Sequence, residues 1–162
     1  MIAEELSPSR IFLDLEVKNT DELFDVMGGN LVKEGFAKES YVQALKDRER
    51  DFPTGIIMNE EGLAIALPHT AIDHVNKAVT SIARLKNAID FHVMGGDADE
   101  TCQVKLVFML CVDDPNAHLD GLQRIVTILQ DQEFLKKLDS VHTNEELIDL
   151  FKTKEDSLCQ KK

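Results

Sequence analysis

The stretch Leu63-Ala64-Ile65-Ala66-Leu67-Pro68-His69-Thr70 decides how this chain is read. Five apolar residues run up to a proline, and a histidine follows it. An apolar run of this length, bounded by a breaker, reads as a short buried strand. Proline has no N–H to give a sheet ladder, so the strand ends at Pro68. His69 is thereby delivered to the rim of a sheet, where α/β proteins place their chemistry. On these residues alone, a site histidine and an ordinary strand-end histidine are equally good readings.

The second informative run is Val104 to Val112, the most apolar in the chain. It reads as a strand buried on both faces, as in a parallel or mixed sheet covered by helices. Asp114 as N-cap with Pro115 at the first helical position then starts a helix. Leu119, Leu122, Ile125, Val126 and Leu129 follow at helical spacing, with His118 in the first turn.

Upstream, Ile11, Phe12, Leu13 and Leu15 mark a strand near residues 10–15. Asn19 or Thr20 caps a helix whose apolar face carries Leu23, Met27 and Leu31, and Gly35 ends it. Gly28-Gly29 weakens that helix by about 1 kcal/mol per glycine relative to alanine, with no local reason for the pair. A second helix starts at Lys38-Glu39-Ser40 and runs into the charge run Asp47-Arg48-Glu49-Arg50-Asp51. Phe52-Pro53-Thr54-Gly55 is a turn, Ile56-Ile57-Met58 a short strand, and Asn59-Glu60-Glu61-Gly62 a turn into the central strand.

Downstream of His69, Lys77 to Leu85 alternates as a strand, and Asp90-Phe91-His92-Val93 pairs as an edge strand before an acidic loop, Gly95 to Glu100. Phe134, Leu135 and Leu138 give a short helix, and Thr143 with Glu146 forms a capping box for a last helix burying Leu147, Ile148 and Phe151. From Lys152 the sequence is polar and is expected to fray. The expected fold is α/β: a mixed central sheet of about five strands flanked by helices on both faces, forming a single domain over residues 1–152 with a polar C-terminal tail at 153–162.

Composition narrows the function classes. The 162 residues include 43% hydrophobic and 30% charged residues, an ordinary globular balance. The net charge of −12 argues against a nucleic-acid backbone or an anionic membrane and favours a protein partner with a basic patch, although charge also serves solubility. No run approaches the ~18 apolar residues of a membrane span, and Met1 to Ser9 has no signal-peptide core, so a cytosolic location is expected. Cys102, Cys111 and Cys159 show no paired spacing and read as free thiols, the first two as small buried hydrophobes and the third as exposed.

Three residues form a candidate site: His69, His118 and Arg48. If the strands before them are neighbours, the two histidines meet at one rim, beside a helix N-terminus that suits an anion. Arg48 adds a guanidinium able to grip phosphate oxygens in pairs. An imidazole is a competent nucleophile near neutral pH, and a second one can orient it or stabilise the transferred group. Each has a plainer reading, His118 as a helix-surface histidine and Arg48 as part of a solvated charge run. His74 reads as a nearby loop residue; His92 and His142 have no polar company. Phosphate-binding loops, serine-elbow, zinc-protease and dinucleotide motifs are absent.

The segment Arg48-Glu49-Arg50-Asp51-Phe52-Pro53-Thr54-Gly55, followed by Gly62 to Thr70, resembles the enzyme IIA domains of the bacterial phosphotransferase sugar-uptake system (PTS). The likeness is to the fructose/mannitol class, which includes the nitrogen-regulatory IIA proteins, and it runs through Val112 into His118-Leu119-Asp120-Gly121-Leu122. Phe-Pro-Thr-Gly-Ile and Leu-Pro-His-Thr, with His74 beyond, are most similar to stand-alone galactitol-type components; Leu67 stands where the family more often has isoleucine. The resemblance implies a phosphotransferase in which His69 accepts phosphate from HPr and passes it to a cysteine of enzyme IIB. It implies that Arg48 and His118 flank that histidine. Thr54 and His74 are, with Arg48, the candidates for binding the phosphoryl group. It also implies a mixed sheet flanked by helices, a cytoplasmic location, no cofactor, no metal, no nucleic acid, and contact with membrane IIC only through IIB. The alternative it leaves is a nitrogen-type regulatory module acting by phosphorylation-dependent protein binding. A remoter reading is a metal-dependent hydrolase using His69, His74 and His118. The sugar is not written in the chain beyond a galactitol-like polyol by resemblance.

Overall fold

The two apolar runs become neighbouring strands of one sheet. The computed structural model describes residues 6–58 and 63–160, with the backbone alone at Pro115, Ala117, His118, Leu119, Gly121, Cys159 and Gln160. The expected turn at 59–62 lies outside the described residues. In chain order the strands are β1 (Ile11–Leu15), β2 (Gly55–Ile57), β3 (Ala64–Ala66), β4 (Val79–His92) and β5 (Thr101–Cys111), laid side by side as β1-β4-β5-β3-β2. β1 runs parallel to β4 and β3 parallel to β5, whereas β4–β5 and β2–β3 are antiparallel, so the sheet is mixed.

Helices cover both faces, and strand alternation shows why. On β3, Ala64 and Ala66 point into one core with Val107 and Met109 of β5, whereas Ile65 and, just past the strand, Leu67 point into the other with Leu106, Phe108 and Leu110. The first core is closed by α1 (Thr20–Lys33) and α2 (Tyr41–Asp51), through Leu23, Phe24, Met27, Tyr41 and Leu45. The second is closed by α3 (Pro115–Leu129), α4 (Gln132–Ser140) and α5 (Asn144–Gln160), through Ile125, Leu129, Leu135, Leu138 and Phe151. Among the described residues no helix is long and apolar enough to cross a membrane.

Local signals carry most helix starts. Asn19, not Thr20, is the α1 cap, accepting from the Glu22 N–H at 2.9 Å. Asp114 caps α3 through the Asn116 N–H at 3.0 Å, and Thr143 accepts from the Glu146 N–H at 3.1 Å. Gly28 now has its reason: a Cβ there would lie 3.1 Å from Val42 Cγ2 and 3.3 Å from Leu45 Cδ1, so the glycine lets α1 approach α2. Gly29 faces open space.

Two expectations change. Asp90–His92 is not an edge strand but the far half of β4, paired with Thr101–Gln103 of β5. The register shifts between Arg84 and Ile89, and this irregularity takes up the polar Lys86-Asn87 that reads as a strand end in sequence. The true edges are β1 and β2. The C-terminal segment does not fray at Lys152: α5 continues through Gln160, held by Leu158 packing on the second core and by Glu155, only 4% exposed.

Arg84 lies inside the second layer. From β4 its Nη1 donates to the carbonyls of Leu138 (3.1 Å), Asp139 (3.3 Å) and Val141 (2.6 Å), satisfying the C-terminal end of α4. Its Nη2 reaches Asp14, at the left-handed φ of 56° where β1 slips its register against β4.

Candidate active site

β3 ends at Ala66, just short of the end expected at Pro68, and the backbone beyond it is held from both sides. Leu67 donates its N–H to the Thr54 carbonyl at 3.4 Å, and the Pro68 carbonyl accepts from the Leu110 N–H of β5 at 2.9 Å. Leu67 and Pro68 are buried, so the half-buried His69 stands on a fixed base. Its Nδ1 lies 2.7 Å from the Leu67 carbonyl oxygen. A carbonyl can only accept, so Nδ1 carries the proton and the ring lone pair falls on Nε2.

Because β3 and β5 are adjacent and parallel, their C-terminal ends share one rim. His69 follows one strand, and the start of α3, which includes His118, follows the other. The first half of the expected meeting of the two histidines, the neighbouring strands, is therefore present; the His118 side chain lies outside what is described.

Arg48 enters from the last turn of α2. Its guanidinium carbon sits 4.8 Å from the centre of the Phe52 ring, a cation–π contact with a ring that is 61% exposed. Arg48 Nε is buried and has no hydrogen-bond partner among the described residues. A buried N–H donor without an acceptor is costly, and an anion at this place would satisfy it. Arg48 lines a surface cavity of about 470 Å³ with Ser40, Phe52, Thr70, Ala71 and His74, so Arg48, His74 and the residue following His69 share one hollow. His74 is held there by a 2.8 Å contact between its Nδ1 and Ser40 Oγ.

Thr54 is 2% exposed and gives both its donors to Glu49: its N–H at 2.8 Å and its hydroxyl at 3.1 Å and 2.9 Å to the two carboxylate oxygens. Burial pushes the Glu49 carboxyl up to about 7, against the Thr54 hydrogen bonds, which act to lower it. Sequence reasoning missed Glu49, because in the run Asp47–Asp51 it looks like every other surface charge. The available signal was its place one residue after Arg48 and five before Thr54 at the far side of a turn. Among the described residues no cluster of three or more His, Cys, Asp or Glu side chains is arranged to hold a metal ion.

Residues 4–154 match the family model described as phosphoenolpyruvate-dependent sugar phosphotransferase system, EIIA 2. The chain belongs to that family. Members of this enzyme IIA family are phosphotransferases of the PTS. Among curated proteins, the chain is 30% identical over 117 residues to the galactitol-specific EIIA component of Escherichia coli K12, covering 72% of this chain and 75% of that protein. It is 29% identical over 153 residues to the fructose-specific EIIABC component of Bacillus subtilis strain 168, covering 92% of this chain but spanning only 22% of that longer protein. Among solved structures, it superimposes on the complex of mannitol enzyme IIA with phosphorylated enzyme IIB from E. coli with a TM-score of 0.71 and 25% identity, covering 90% of this chain and 95% of that one. The mixed five-strand sheet with five helices is thus the fold of mannitol-type enzyme IIA.

Proposed function

We propose that this enzyme IIA accepts a phosphoryl group from phospho-HPr on Nε2 of His69 and passes it to a cysteine of enzyme IIB, during uptake of a galactitol-like sugar or polyol. The observation that carries the reading is the tautomer. With Nδ1–H committed to the Leu67 carbonyl, Nε2 is the nitrogen with a lone pair for attack on phosphorus. In the first step the P–Nε2 bond forms as the phosphoryl bond to HPr breaks. In the second a IIB thiolate attacks phosphorus and the electron pair of the P–Nε2 bond returns to the imidazole.

Arg48 is the charge partner: its unsatisfied Nε and its guanidinium edge meet phosphoryl oxygens through transfer. His118 supplies the second imidazole. His74 lines the hollow beside Arg48 and acts at its rim, whereas Thr54 acts on the phosphate through the turn it closes. The mannitol complex, a relative bound to phosphorylated IIB, supports IIB as acceptor. The galactitol-specific relative supports the polyol class. We place the exchange in the cytoplasm, with membrane IIC reached only through IIB.

The test is intact-mass spectrometry after mixing the protein with enzyme I, HPr and phosphoenolpyruvate at neutral pH, which spares the acid-labile phosphoramidate. One added phosphate, lost in His69→Ala, is expected; normal labelling of His69→Ala overturns the assignment. Transfer onward to a galactitol-type IIB in preference to a mannitol-type one supports the substrate class. Phosphorylation without transfer to any IIB replaces the transport reading with the nitrogen-type regulatory one.

A further inference from the structure

Arg48 and Thr70, the residue after His69, line one hollow, and one side chain links the segments that carry Arg48 and His69. Arg48 sits on α2, on one side of the Phe52–Thr54 turn; His69 follows β3, on the other. Glu49 reaches across the turn and holds both donors of Thr54. Thr54 in turn accepts from Leu67 through its carbonyl, and Leu67 accepts from His69 Nδ1 through its own. The connected path is Glu49 carboxylate, Thr54, Leu67, imidazole. The same clamp closes the turn that presents the Phe52 ring to the Arg48 guanidinium. The clamp has little freedom: Thr54 is 2% exposed, and a Cβ on the neighbouring Gly55 would lie 2.7 Å from the His92 carbonyl and 2.8 Å from Cys102 Sγ.

We propose that Glu49 is a positioning residue for phosphoryl transfer, fixing the nucleophile His69 and the charge partner Arg48 relative to each other through its grip on Thr54. The proposal rests on the reading of His69 as phosphoryl acceptor. Transfer without a metal depends on alignment of nucleophile, phosphorus and counter-charge, and displacements of about 1 Å cost about 100-fold in rate. The clamp needs an acceptor, not a charge, so an amide in place of the carboxylate keeps it.

The experiment compares single-turnover transfer from saturating phospho-HPr to wild type, Glu49→Ala, Glu49→Gln and Thr54→Val, alongside nitrogen-15 NMR of the His69 ring. Glu49→Ala is expected to lose at least about tenfold in rate, with the half-saturating HPr concentration within about twofold. Glu49→Gln, which keeps an acceptor for both Thr54 donors, restores most of the rate. Thr54→Val, which fills the same volume without the hydroxyl, falls between. The His69 Nδ1–H signal broadens or shifts in Glu49→Ala and returns in Glu49→Gln. A Glu49→Ala rate within about threefold of wild type, or a Glu49→Gln rate as slow as Glu49→Ala, overturns the positioning role. If wild type takes no phosphate at all, the phosphocarrier reading fails instead; the ring spectrum then judges the clamp, and an unchanged Nδ1–H signal in Glu49→Ala overturns it.

Discussion

The Nδ1–H of His69 donates to the main-chain carbonyl of Leu67, two residues back in the same segment, at 2.7 Å. This relationship holds the ring to its own backbone and places the proton on Nδ1, which leaves the lone pair of the neutral ring on Nε2. The phosphate is therefore expected on Nε2. Phosphorus–nitrogen couplings in the nitrogen-15-labelled phosphoprotein distinguish the two positions, and a phosphate on Nδ1 would show that the Leu67 bond breaks before transfer.

Glu49 gives the stability a specific pH dependence. Its carboxyl loses its proton near the ordinary value of 4.5 when unfolded and only near about 7 when folded. Between those values the folded state binds more protons, so stability falls as pH rises. Glu49→Gln does not titrate and lacks this loss. Chemical denaturation at about pH 5 and about pH 8 is expected to show the variant gaining about 2 kcal/mol on wild type between the two conditions. Parallel changes in both proteins would show that the carboxyl is not held up by burial.

Arg84 and Asp14 form an unequal pair. The arginine side chain is 7% exposed and the aspartate 68%, with 3.2 Å between them. The exposed partner adds little, so Asp14→Asn, which tolerates the left-handed backbone there, costs under about 1 kcal/mol. Arg84→Met leaves the carbonyls at the end of α4 without their donor and costs about 3 kcal/mol. Urea unfolding of the two variants measures the contrast; equal effects would contradict it.

The neighbouring glycines of α1 answer differently to the same substitution. Gly29→Ala meets nothing within 4 Å and is expected to raise stability by about 0.8 kcal/mol through helix propensity. Gly28→Ala brings the same gain but presses on Val42 and Leu45 of α2, so its thermal midpoint falls below that of Gly29→Ala. A Gly28→Ala protein as stable as Gly29→Ala would mean that α2 yields freely.

Wherever a signal is local, it is already present in the chain. The apolar runs at 63–67 and 104–112 mark buried strands, Pro68 follows close after the end of β3, and Asp114-Pro115 starts α3. His69 and Arg48 stand out as candidates in the sequence because their residue types at those junctions suit phosphate. Only the tertiary structure decided what depends on distant partners. The polar Lys86-Asn87 looks like a strand end, yet β5 carries β4 past it through a register shift. The tail after Lys152 looks solvated, yet the second core extends α5 to Gln160. Glu49 looks like one charge among several, yet its role arises from Thr54, across a turn that brings the end of α2 to β3. Periodicity and capping act within a few residues and survive in one dimension, whereas burial and hydrogen bonding across the sheet are properties of the packed chain.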